Sequence, residues 1–79
     1  MDVRGKLANS FRRVFEIDDI VLTDEMTAKD VDGWDSLAHI NLIMDVEEEF
    51  GLRFTVDDIA DLKNVGEMIQ MLERKLSLA

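Results

Sequence analysis

The stretch from Leu37 to Phe50 contains neither Gly nor Pro, and its apolar residues recur at spacings of three and four. Such a run buries one continuous face only as an α-helix, so the rest of the chain has to supply a core against it. Leu42, Ile43, Val46 and Phe50 make one stripe, which is expected to face that core, and Leu37, Ile40 and Met44 make a second stripe beside it. Together they are broader than a simple surface helix needs. The second stripe therefore either packs under a neighbouring loop or stands as a partly exposed contact ridge. Gly51 suits the left-handed C-cap after the last periodic residue, and Asp35 suits the N-cap before the first.

Two other segments share this period. Val3, Leu7, Phe11, Val14 and Phe15 mark an amphipathic first helix, with Arg4, Lys6, Arg12 and Arg13 falling mostly between them. Those basic residues are expected to form a solvated face whose ion pairs are worth under about 1 kcal/mol each. Val65, Met68, Ile69, Leu72 and Leu76 mark a last helix, with Glu73, Arg74 and Lys75 facing water. Thr55 followed by Asp58 resembles a capping box with Asp in place of Glu and opens a short helical segment, Val56 to Leu62; Asn64 with Glu67 repeats the device.

Between the first two helices, turn formers (Asp18-Asp19, Thr23-Asp24, Asp32-Gly33) alternate with Ile17, Ile20, Val21, Leu22, Met26, Val31 and Trp34. A structureless connection of about 20 residues is out of place in a compact domain, so these apolar side chains are expected to pin the loop over the helix ends, with a short turn of helix. There is no Pro and no alternating strand pattern. The expected fold is all-α: a small four-helix bundle of three main helices plus one short helix, with a long loop between helices 1 and 2, forming a single domain over residues 1–79.

A chain of 79 residues builds one small core but no deep catalytic cavity, which favours a binding or carrier module over an enzyme. Hydrophobic residues make up 47% of it, enough for that core, while 18 acidic against 9 basic side chains leave a net charge of −9. Nucleic acid is excluded as a partner by that charge, whereas proteins presenting Lys and Arg are attracted. There is no Cys, hence no disulfide or thiolate metal site, and any thiol chemistry needs an added group. Met1-Asp2-Val3-Arg4-Gly5-Lys6 lacks an apolar signal region, and no apolar run approaches the roughly 20 residues of a membrane span. A soluble, cytoplasmic, free-standing monomer is expected.

Ser36 falls in the first turn of the second helix, where backbone N–H groups lack intrahelical partners and the helix carries partial positive charge. A hydroxyl there is well placed to hold a phosphate, or merely to sit beside a cap. Two other chemistries fail. Asp30-Val31-Asp32-Gly33 lacks the third acidic or amide ligand before the Gly of a calcium loop, and Asn41 stands where its Glu belongs. Asp35, Ser36 and His39 are the residue types of a hydrolytic triad, but adjacent Asp35 and Ser36 do not put the acid behind the imidazole. His39 reads instead as a helix-face residue at the core margin. No catalytic and no metal-binding residues are expected.

Gly33-Trp34-Asp35-Ser36-Leu37, with the stretch on to Asp45-Val46-Glu47-Glu48-Glu49-Phe50, resembles the acyl carrier protein family, and the order of helices extends the likeness over nearly the whole chain. The resemblance implies that Ser36 bears 4'-phosphopantetheine, attached covalently from coenzyme A by a separate magnesium-dependent phosphopantetheinyl transferase. Its terminal thiol would hold acyl intermediates as thioesters, in fatty acid, polyketide or specialised lipid biosynthesis, with the acyl chain able to shelter between the helices. It also implies partners with basic surfaces, namely acyl-loading, synthase and transferase enzymes. By position, the recognition residues would be Asp35, Asp45, Glu47, Glu48, Asp57 and Asp58, around an apolar ridge of Leu37, Ile40 and Met44.

The chain departs from the fatty-acid-synthesis members at Ala38 and Asn41, where they usually carry acidic residues, and at Arg53, where theirs is acidic or polar. A thinner negative rim weakens steering toward a basic surface, so different partner enzymes are expected. Trp34 also departs from that type and points to carriers for polyketides, unusual lipids or activated amino acids. An aminoacyl or peptidyl carrier of a nonribosomal pathway is the near alternative. From a different class, an acidic helical protein-interaction module would use Ser36 only beside a cap.

Overall fold

A computed structural model describes residues 2–60 and 62–78. Its elements are α1 (Val3–Phe15), α2 (Ser36–Phe50), α3 (Val56–Ala60) and α4 (Val65–Leu78), and no strand occurs among the described residues. Each boundary has a local cause. Asp2 caps α1 by accepting from Gly5 N–H, and α1 ends at Glu16 in the left-handed region (φ 54°), with the Glu16 N–H returned to Arg12 O. Gly51 (φ 66°) closes α2 in the same conformation without the steric cost that a side chain brings. The Thr55 capping box is complete, with Asp58 N–H donating to Thr55 Oγ1 at 3.2 Å and Thr55 N–H donating to Asp58 Oδ2 at 2.9 Å. At α4 the Glu67 N–H donates to Asn64 Oδ1 at 2.8 Å.

α1 packs on α2 and α4, and the stripes the periodicity assigns to the core meet there: Leu7 and Phe11 of α1, Leu42, Ile43, Val46 and Phe50 of α2, and Val65, Met68, Ile69 and Leu72 of α4. Met71, between stripe positions of α4, is buried as well. α3 is shorter than the expected Val56 to Leu62. The described helix runs to Ala60, Asp61 lies outside the described residues, and Leu62, the expected last residue, is not helical, its N–H donating to Ile59 O at 3.3 Å.

The expected short turn of helix does not form in the long loop, which makes isolated turns instead, Met26 N–H donating to Thr23 O and Asp30 N–H to Thr27 O. The loop is held down as its apolar residues suggest, with one exception. Leu22, Val31 and Trp34 are buried, and Ile17, Ile20 and Met26 pack against the core, but Val21 is 80% exposed and anchors nothing. Hydrophobic content cannot choose between adjacent residues of an irregular segment, where Leu22 is buried and Val21 points outward. The loop is also fixed through its backbone, because Val65 N–H donates to Met26 O and Gly66 N–H to Asp24 O, both at 2.9 Å. The first two donors of α4 are thus satisfied by the loop, and the third by Asn64. Gly66 permits this approach, since a Cβ there would stand 3.0 Å from Asp24 O.

Candidate functional site

Ser36 is the first residue of α2 and is exposed. The turn that delivers it is set by Gly33, whose φ of 87° is left-handed, and by hydrogen bonds from Trp34 N–H to Val31 O (3.2 Å) and Asp35 N–H to Gly33 O (3.0 Å). Asp35 then caps the helix, Oδ1 accepting from Ala38 N–H at 2.8 Å while its carbonyl accepts from His39 N–H at 2.8 Å. The Ser36 and Leu37 amides precede the first intrahelical donor, so their protons face outward beside the Ser36 hydroxyl. A cleft of about 420 Å³ opens there, lined by Trp34, Asp35, Ser36 and His39, by Ala28 of the loop, and by Leu62 and Lys63 of the link between α3 and α4.

The remaining sequence-assigned residues fall into two groups. Leu37, Ile40 and Met44 are 70%, 58% and 59% exposed and form a continuous apolar ridge, so of the two readings of the second stripe, burial under the loop is the one that fails. The loop crosses the other side of α2, where Trp34 meets α1. Glu48, one turn after Met44, is exposed, and so is Asp57, which lies with Lys63, Glu67 and Arg74 at the cleft between α3 and α4. Asp45, Glu47 and Asp58 are engaged inside the molecule. Asp45 and Glu49 both accept from Arg13 Nη2 at 2.6 Å, Glu47 Oε2 accepts from Phe54 N–H at 2.8 Å, and Asp58 Oδ2 pairs with Lys75 Nζ at 2.7 Å. Arg13 therefore does more than the solvated face expected of α1: it ties α1 to α2. The Arg13 guanidinium, with help from the Ser10 hydroxyl and against the effect of burial, holds the Asp45 carboxyl below its usual range.

Sequence reasoning did not anticipate the contact between Trp34 and His39. Trp34 Nε1–H donates to His39 Nδ1 at 3.0 Å, and the two ring planes lie 18° apart with centroids separated by 5.9 Å. The signal in the sequence was slight, an indole just before the cap and an imidazole one turn after it. Loss of solvent pushes the His39 pKa below the usual 6.5. Lys63 was also missed, because its place at the cleft depends on how α4 docks. Asp35 is turned onto the backbone and His39 onto Trp34, so no hydrolytic triad forms around Ser36. Among the described residues no cluster of His, Asp and Glu is placed to hold a metal ion, and no helix is long and apolar enough to cross a membrane.

The family described as the phosphopantetheine attachment site matches residues 5–72. The chain is similar to the acyl carrier protein of Thermotoga maritima, 29% identical over 75 residues that cover 95% of this chain and 93% of that one. It is also similar to the acyl carrier protein of an Exiguobacterium species, 34% identical over 55 residues, 70% of each chain. Among solved structures, the solution structure of the holo acyl carrier protein from Geobacter metallireducens superposes with a TM-score of 0.89 at 41% identity, covering 99% of this chain and 90% of that one.

The fold and the match together define a carrier rather than a catalyst, built to bear a covalent 4'-phosphopantetheine. The chain belongs to the phosphopantetheine attachment family and, within it, to the acyl carrier proteins. Its residues fit that group. An exposed hydroxyl stands among first-turn N–H groups suited to a phosphodiester, Lys63 adds a cation, and the adjoining cleft leaves room for an arm.

Proposed function

We propose that Ser36 carries the 4'-phosphopantetheine and that the protein presents acyl thioesters on it to successive enzymes of fatty acid, polyketide or specialised lipid biosynthesis in the cytoplasm. The observation that carries this reading is the exposed Ser36 hydroxyl at the start of α2, beside the cleft and inside the matched residues 5–72. The arm supplies the thiol that a chain without Cys lacks. Attachment makes a bond from Ser36 Oγ to phosphorus and breaks the pyrophosphate of coenzyme A, the hydroxyl proton and the nucleotide half leaving. Asp35 keeps the helix start formed while the Ser36 and Leu37 amides remain open to the anion.

Partner docking uses the exposed ridge Leu37, Ile40 and Met44 with Asp35, Glu48 and Asp57, against basic surfaces of the phosphopantetheinyl transferase and of acyl-loading, synthase and transferase enzymes. Asp45, Glu47 and Asp58 contribute less, because meeting a partner would mean giving up contacts that hold α1 to α2, α2 to the link before α3, and α3 to α4. With Ala38 and Asn41 uncharged and Arg53 basic, the rim favours enzymes other than those serving ordinary fatty acid synthesis carriers.

Intact-mass measurement after incubation with coenzyme A, magnesium and a broad-specificity transferase tests the attachment. The expected result is a gain of one phosphopantetheine by the native chain and none by Ser36→Ala. A gain by Ser36→Ala, or no gain by the folded native chain, overturns it, the second favouring an interaction module.

A further inference from the structure

Trp34 and His39 stand on either side of the α2 cap and join across it. An indole N–H only donates, so its 3.0 Å approach to His39 Nδ1 requires that nitrogen to be unprotonated and puts the ring proton on Nε2. The other side of Trp34 is gripped by α1, edge-on to Phe11 at 5.3 Å and tilted against Phe15 at 6.1 Å. The segment from 34 to 39 is thus fixed to α1 and closed on itself, with Ser36 inside the closure.

We propose that His39 is a positioning residue for modification of Ser36: its neutral ring clamps Trp34 and fixes the start of α2, and protonation releases the clamp. The proposal rests on Ser36 as the attachment residue. An imidazolium has no acceptor nitrogen, so charging the ring leaves a donor facing the Trp34 N–H. The charged groups that share the cleft with His39 are Asp35, which favours the imidazolium, and Lys63 of the α3–α4 link, which opposes it. The α1 side presents the uncharged rings of Phe11 and Phe15 through Trp34, and the next ionisable group along α2 is Asp45, turned to Arg13. Burial favours the neutral ring, so the release falls below pH 6.5.

Trp34 is the single Trp and reports on the clamp directly. Its emission and the rate of phosphopantetheine transfer are measured from about pH 8 to about pH 5, with far-UV circular dichroism to follow helix content. His39→Gln serves as the reference substrate at each pH, because its side-chain oxygen supplies an acceptor that does not titrate. The native chain is expected to show an emission change and a several-fold fall in rate relative to His39→Gln, sharing one midpoint below 6.5, with helix content unchanged. His39→Phe, which keeps a ring and loses the acceptor, is expected to match the acidic native chain at every pH. Flat native profiles, an emission change that follows helix loss, or His39→Phe behaving like the native chain at the upper pH overturns the proposal. Failure of all variants to gain mass overturns the Ser36 assignment instead, and the emission arm then decides the clamp alone.

Discussion

Asp35 shows how one side chain serves both the fold and the site. Its carboxylate takes the Ala38 N–H, which leaves the two preceding amides beside Ser36 free of any side-chain acceptor. Asp35→Ala is expected to lower stability by about 1 kcal/mol, and Asp35→Asn by less, because the amide oxygen still caps. Urea denaturation of the two variants beside the native chain measures the difference, and equal midpoints for Asp35→Ala and the native chain would mean that the cap is idle. The cap, the Ser at the helix start and the Gly at the far end were all legible in the sequence, since each answers to backbone groups within a few residues. The bond between Trp34 and His39 was not. It depends on the left-handed turn at Gly33 and on the rings of α1 that steer the indole, neither of which is a property of residues 34–39.

At the scale of elements, α2 carries two stripes of similar hydrophobicity and opposite fates. Leu42, Ile43, Val46 and Phe50 are buried, while Leu37, Ile40 and Met44 face solvent, and periodicity alone assigns no direction to either. Phe50→Ala is expected to cost about 3–5 kcal/mol, the range for a large aromatic removed from a core. An unchanged thermal melting curve for that variant would take Phe50 out of the core. α1 and α4 were read with the correct inward faces because each has one apolar stripe. The sequence marks the start of α3 with a capping box but gives its end no Gly or Pro, so periodicity extends it to Leu62, which the structure leaves outside the helix.

Across the whole molecule, a net charge of −9 leaves few cations to spare, and two of them hold elements together: Arg13 joins α1 to α2, and Lys75 joins α4 to α3. The Lys75 ammonium and the Thr55 N–H bring the Asp58 pKa down from 3.8 to about 2. Because the folded value lies below the unfolded one, the stability this carboxylate contributes is complete above about 3.8 and is lost as pH falls toward about 2. The urea midpoint should therefore drop over that interval, and Asp58→Asn should flatten the drop. A variant with the native pH dependence would show that the pair contributes nothing.

Residues 1–79 by themselves determined the helices, their caps, the inward stripes of α1 and α4 and the serine at the start of α2, because those features depend on spacing and on neighbours along the chain. Tertiary structure decided which stripe of α2 stays exposed, which of its carboxylates remain free for a partner, and which side chains close around Ser36. These choices are set by contacts between segments far apart in sequence, such as Arg13 with Asp45 and Trp34 with Phe11, whose geometry exists only once α1, α2 and the loop have packed.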